Sequence, residues 1–154
     1  QEMEAIRQAE TLGCLGLAVD GKPYVVPLNY SYIEGKILFH CALTGKKLDH
    51  LKKNPNVCFT VARQPEKVRR HAEGSPCHVD SDSVICVGTA RIIDGLTERK
   101  EVLDAFNRGF RPDAEGISPE SVAKCGAVVI TITEMTGRRE REQKRTYWRH
   151  RFGG

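Results

Sequence analysis

Apolar and polar residues alternate along most of this chain. In "PYVVPLNYSYI" the side chains of Tyr24, Val26, Leu28, Tyr30 and Tyr32 fall on one face. That period of two predicts a half-buried β-strand. "CLGLAVD", "KILFHCA", "NVCFTVAR", "SVICVGTARIID" and "GAVVITITE" read the same way, which makes about six strands. Gly21-Lys22 and Glu34-Gly35 are the tight turns that join the first three into a meander. The last strand is expected to break at Thr136-Gly137.

Helical spacing is confined to short insertions. Met3, Ile6 and Ala9 are spaced by three within Glu2–Thr11. A very basic helix follows Thr44-Gly45 and stops at Asn54-Pro55, because proline does not continue a helix. "TERKEVLDAFNRGF" places Val102, Leu103, Phe106 and Phe110 on one stripe. Ser118-Pro119 pairs a capping residue with proline in the first turn, which predicts another start. Gln64–Asp82 has no clean period and reads as a long connection. Adjacent strands joined by tight turns, with no βαβ rhythm, predict a mainly β fold. A six-stranded antiparallel barrel is expected, since closing the sheet removes its edges. Residues 1–137 form the expected single domain and residues 138–154 a C-terminal tail.

Charge sharpens that boundary. The net charge of the 154 residues is +4. Arg138–Arg151 holds seven Lys/Arg and two Glu, so the remainder carries 17 basic and 18 acidic residues. A neutral body with a basic tail argues against a nucleic-acid-binding surface. Tyr147, Trp148 and Phe152 are interleaved with the tail's charge, so it is expected either to dock on something or to fray. Six cysteines are widely spread, four of them within apolar runs, where they read as small core residues in a reducing cytoplasm. No C-x-x-C occurs and Cys77-His78 is an isolated pair, so no metal site is expected. No apolar run approaches the ~18–20 residues that span a bilayer, so no membrane partner is expected.

Lys46 and Lys47 pose the sharpest question. A helix N-terminus exposes unpaired N–H groups and a partial positive charge, so lysines there oppose the helix dipole. They suit an anion such as a phosphate. The alternative is a solvated basic face, which Lys52 and Lys53 would continue. The segment from Phe39 to Pro55 has the form F-H-x-x-x-x-G-x-K-x-x-x-L-x-x-x-P through Phe39, His40, Gly45, Lys47, Leu51 and Pro55. It resembles the FMN-binding split-barrel family related to pyridoxamine 5'-phosphate oxidase, and within it the 5-nitroimidazole-resistance branch. "SVICVGTARIID" and "ITEMTGR" resemble that branch too, so the resemblance spans about Leu12–Arg138.

The resemblance implies a six-stranded split β-barrel, FMN as cofactor and a homodimer with the flavin in a groove between subunits. It implies that Gly45, Lys46 and Lys47 hold the phosphate and that Val26, Pro27, Leu28 and Asn29 lie along the flavin ring. His40 and Cys41 match positions beside both. His40 is then the candidate catalytic group, its alternative being a hydrogen-bonded core histidine. Trp148 is a candidate cap on the flavin. Electrons would pass from a nicotinamide or protein donor, through the flavin, to a small acceptor, for which that branch suggests a nitroaromatic. Val25 and Tyr30 stand where pyridoxamine phosphate oxidases carry phosphate-gripping arginine and lysine, so that oxidation is not expected. The rival reading is a binding module, a flavin carrier or a haem-binding barrel, that catalyses nothing.

Overall fold

The computed structural model describes residues 11–64, 79–141 and 144–153. The helix expected over Glu2–Thr11, most of the long connection, and Cys77-His78 lie outside the described residues. Eight strands form a single antiparallel sheet: β1 (Leu12–Val19), β2 (Lys22–Asn29), β3 (Ser31–Ile33), β4 (Lys36–Cys41), β5 (Asn56–Arg63), β6 (Ser81–Ile92), β7 (Gly126–Arg141) and β8 (Lys144–Arg151). Among the described residues three helices are inserted: α1 (Lys46–Lys53), α2 (Leu96–Phe110) and α3 (Pro119–Lys124). The strand order is β2-β1-β5-β6-β7-β4-β3, with β8 paired to β7. The sheet curls without closing; β2 and β3 end the main strand path, and β8 is a further edge beside β7. This is the split barrel.

Two additions raise the strand count from six to eight. "PYVVPLNYSYI" divides at Tyr30 into β2 and β3, which lie at opposite ends of the sheet. The expected face survives the division: Leu28 and Tyr30 are buried in the core, and Tyr24, Val26 and Tyr32 pack against it. The second addition is β8. The last long strand does not break at Thr136-Gly137; it runs to Arg141 and then pairs with Lys144–Arg151. The basic segment is therefore sheet, and its aromatics are strand residues.

The β1–β2 and β3–β4 hairpins each turn on two left-handed residues. Asp20 and Gly21 have φ of 51° and 72°, and Glu34 and Gly35 have 47° and 79°. Two central residues with positive φ match the right-handed twist of the flanking strands. The first turn is thus centred on Asp20-Gly21, one residue earlier than expected.

The core has two parts. Inside the barrel, Leu15, Ile37, Phe39, Phe59, Val84 and Ile130 are essentially inaccessible, and Leu48 and Leu51 of α1 plug one end. On the other face of β4 and β7, Leu38 and Val129 meet Leu103 and Phe106 of α2 and Val122 of α3. Here Phe110 is 40% exposed, so the expected stripe on α2 is buried only through Phe106. Ser118 caps α3 as its sequence implied, its hydroxyl accepting the Ser121 N–H at 3.3 Å.

Candidate functional site

Three chain segments meet at the split. The first is the start of α1. Gly45 has φ 135° and ψ 165°, a conformation open essentially to glycine alone. Its carbonyl accepts from Leu48 at 2.9 Å and Asp49 at 3.1 Å. No side chain caps the helix. The first N–H groups of α1 therefore point outward without an intrahelical partner. A Cβ built on Gly45 would meet nothing within 4 Å.

Lys46 and Lys47 stand at this helix start. Lys46 Nζ lies 4.4 Å from the Tyr24 ring centroid, and Lys47 Nζ 5.7 Å from that of Phe39. Aromatic faces hold an ammonium group through the ring quadrupole without neutralising it. Neither lysine has a carboxylate partner among the described residues. Tyr24 also packs against His50 of α1, with ring centroids 5.1 Å apart. The Tyr24 contacts bring β2 and the β4–α1 corner together across the split. Sequence reasoning placed Tyr24 on the inward face of β2 but gave no sign that it supports Lys46.

The second segment is the outer edge of β2. The Tyr30 N–H donates to Thr11 O at 3.2 Å, and β2 pairs with β1 through Leu12↔Asn29 and Cys14↔Pro27. In an antiparallel ladder successive residues alternate between facing and avoiding the partner strand. Leu28, Val26 and Tyr24 thus hydrogen-bond toward β1. Pro23, Val25, Pro27 and Asn29 point their backbone polar groups the other way, into the split. Both prolines fall where the ladder needs no donor, which an edge strand allows. Pro27 gives up no ladder bond, so its place in mid-strand needs no ligand to explain it. Val25 and Asn29 are the N–H donors of this edge, beside the carbonyls of all four residues.

The third segment is the end of β4. Cys41 is buried inside the barrel and its register partner is Gly126. Burial pushes the Cys41 thiol up from its usual range, and the nearby charge of Lys47 offsets this in part. His40 points to the opposite face, where it is exposed; it is not a core histidine. Its ring meets Phe106 edge to face at 5.0 Å, and Phe106 in turn meets Phe110 at 5.0 Å. Val26, Pro27, Leu28, Asn29, His40, Cys41, Gly45, Lys46 and Lys47 thus all lie on the three segments that bound the split. Leu28 and Cys41 are buried at 8% exposure each, so they shape the wall from behind.

Trp148 is not brought to this place within one chain. It pairs with Gly137, three-quarters of the way along β7, whereas Cys41 pairs with Gly126 at the start of that strand. The separation is on the order of 35 Å of extended strand. Its ring lies 5.7 Å from the Arg139 guanidinium.

Comparison with known proteins fixes what this arrangement belongs to. The family model described as pyridoxamine 5'-phosphate oxidase matches residues 1–139. The chain belongs to that family. Among solved structures, a candidate 5-nitroimidazole antibiotic resistance protein from Bacteroides thetaiotaomicron VPI-5482 is 27% identical, with TM-score 0.76 over 89% of this chain and 81% of that one. A FAD-binding protein from Mesorhizobium loti shares the fold at 24% identity and TM-score 0.69, covering 91% and 94% of the two chains. An uncharacterised protein of Rhizobium meliloti (strain 1021) is 31% identical over 62 residues. That match takes in 40% of this chain and 40% of the relative's own length.

Membership of the pyridoxamine 5'-phosphate oxidase family agrees with the split barrel. It leaves open which phosphate-bearing ligand a member takes. Among the described residues no group of three or more His, Cys, Asp or Glu side chains converges on a point. No described helix is long and apolar enough to cross a membrane.

Proposed function

We propose that this chain binds FMN at the split and serves as an oxidoreductase that passes electrons to a small acceptor, a nitroaromatic being one candidate. The observation that carries the reading is the start of α1, where N–H groups without an intrahelical partner stand beside Gly45 and two lysines that have no carboxylate partner among the described residues. An anion held there gains from both the helix N-terminus and charge-assisted hydrogen bonds. The outer edge of β2 supplies alternating carbonyls and the N–H groups of Val25 and Asn29, which suit the polar rim of a flat heterocycle. When bound, the flavin supplies the electron chemistry; the protein supplies orientation and access. His40, exposed and packed against Phe106, would hold or give a proton at the edge of the site.

The same reading includes a homodimer in a reducing cytoplasm, reduced by a nicotinamide or a protein donor. Its structural support is an exposed sheet face. Ile85 and Val87 of β6 are 44% and 47% exposed, and Tyr147 of β8 is 66% exposed. Together with Ser83, Thr136, Arg138 and Arg149, Ile85 and Tyr147 border a shallow groove of about 530 Å³. Apolar strand residues left in water in this number suit a second subunit. A partner's β8 could then bring Trp148 near a site that its own chain cannot reach.

An absorption spectrum of the purified protein, followed by NADH and then NADPH without oxygen, tests the reading. A bound flavin that is bleached and then re-oxidised by a nitroaromatic supports it. A bound flavin that no donor reduces supports a carrier instead. Light scattering of the flavin-loaded protein decides the dimer, and a stable monomer would remove it.

A further inference from the structure

We infer that Cys125 is a positioning residue for His40. It fixes which ring nitrogen carries the proton and leaves Nε2 free to face a ligand at the mouth of the split. The inference rests on the proposal that the site lies there.

Cys125 closes α3 and immediately precedes β7. Its Sγ lies 3.9 Å from His40 Nδ1, 3.7 Å from the Cys41 carbonyl oxygen and 3.6 Å from that of Gly126. A thiol has one proton to give, and its sulfur can accept weakly. The two carbonyl oxygens can only accept, and both are nearer than the ring nitrogen. The thiol proton therefore goes to the backbone, and the sulfur is left to accept from Nδ1–H. Phe106, edge to face with the imidazole at 5.0 Å, packs against the ring.

A histidine whose Nδ1 carries the proton presents a lone pair at Nε2. When neutral it accepts a hydrogen bond there; when charged it donates one, to a nitro or carboxylate oxygen for example. The exposed side of His40 thus suits a small acceptor that takes up a proton on reduction. Cys125, half-buried beside His40, acts through it.

The test is the 15N spectrum of the imidazole rings at alkaline pH, with His40 assigned by its loss in His40→Gln. The wild-type chain is expected to show His40 mainly as the Nδ1–H form. In Cys125→Ala that preference should be lost. Cys125→Ser keeps a group that can both accept and donate, so it should restore the preference in large part. Acceptor reduction by the flavin-loaded Cys125→Ala protein should fall severalfold, with flavin affinity unchanged. An unchanged His40 spectrum in Cys125→Ala, or a wild-type spectrum dominated by Nε2–H, would overturn the inference whatever the flavin does. If instead the tautomer changes as expected while His40→Gln reduces acceptors as fast as wild type, the assignment of His40 to the redox site is wrong. The positioning by Cys125 then stands.

Discussion

Two strongly basic regions among the described residues use their charge in opposite ways. At the far end of the sheet, arginines from β5, β7 and β8 are spent on buried carboxylates. Asp82 is fully buried, with Arg63 directly opposite it on β5 and Arg139 directly opposite on β7. Their guanidinium groups reach it at 3.3 and 3.0 Å, and that of Arg141 at 2.9 Å. On the other face Glu140, 3% exposed, is clamped by Arg138 and Arg145. Glu134 collects Arg149 and Arg151 at 3.6 and 3.0 Å. At the start of α1, by contrast, Lys46 and Lys47 rest on aromatic rings, with no carboxylate beside them among the described residues. The larger cluster is consumed in holding the fold, and the smaller one is left available. A count of charges along the chain ranks the two regions the wrong way round.

That contrast can be broken by four variants of decreasing effect. Replacing Lys46 and Lys47 together by Glu should cost FMN several kcal/mol of binding, since each charge-assisted hydrogen bond is worth ~1.5–3 kcal/mol. Riboflavin, which lacks the phosphate, should lose little. Titration of both ligands checks this, and equal losses would dissolve the phosphate assignment. The denaturation midpoint of that variant should stay close to wild type.

Asp82→Asn should do the reverse, lowering stability by about 3 kcal/mol while leaving flavin affinity nearly intact. Removing one member of a buried ion cluster strands the others, though these arginines keep part of their surface in water, which softens the loss. Burial alone would push the Asp82 carboxyl up. Hydrogen bonds from Arg139 and Arg141, with their charges, outweigh it and hold the group below the usual carboxylate range. A carboxylate depressed in the folded state contributes stability that is complete above its unfolded pKa of about 4 and is lost as pH falls through the folded value. Urea midpoints between pH 7 and pH 2 should therefore show a shallower acid limb in Asp82→Asn.

Gly45→Ala sharpens the comparison from the backbone side. The residue would meet no neighbour, yet φ of 135° strains any side chain, at a cost of about 1–3 kcal/mol. If the chain relaxes that strain by turning the helix start, FMN affinity should fall along with stability. Smallest is Glu98→Gln. It breaks the surface pair with Arg91, whose nitrogens reach it at 2.5 and 3.0 Å. The midpoint should not move measurably, because exposed pairs are screened by water.

Sequence and structure agree where the deciding interactions are local. Glu34-Gly35 turns the chain where expected, the first turn falls one residue early on Asp20-Gly21, and Ser118 caps the helix it precedes. The start of α1 was legible for the same reason: Gly45, Lys46 and Lys47 are adjacent in the chain. The far end was not. Arg138 to Arg151 reads as a polar tail because the carboxylate that organises its first half, Asp82, is more than fifty residues away. β8 likewise exists only through its pairing with β7. Cys125 was hidden in the same manner, since its approach to His40 depends on how β4 and β7 align. Tyr24 could be placed on a face, but not under a particular lysine.

The prolines of β2 carry a consequence for how the molecule behaves in a concentrated solution. A strand joining this edge would look for a donor at every second residue. Pro23 and Pro27 offer none, and the two donors that remain, Val25 and Asn29, are roughly 13 Å apart. A foreign strand would find every other rung of the ladder missing. A compact ring needs only one or two rungs and finds them. The edge can thus stay open for a small visitor without becoming a template for fibres. Restoring the donors with Pro23→Thr and Pro27→Val should leave the barrel intact and make it prone to self-association, which turbidity at high protein concentration would reveal.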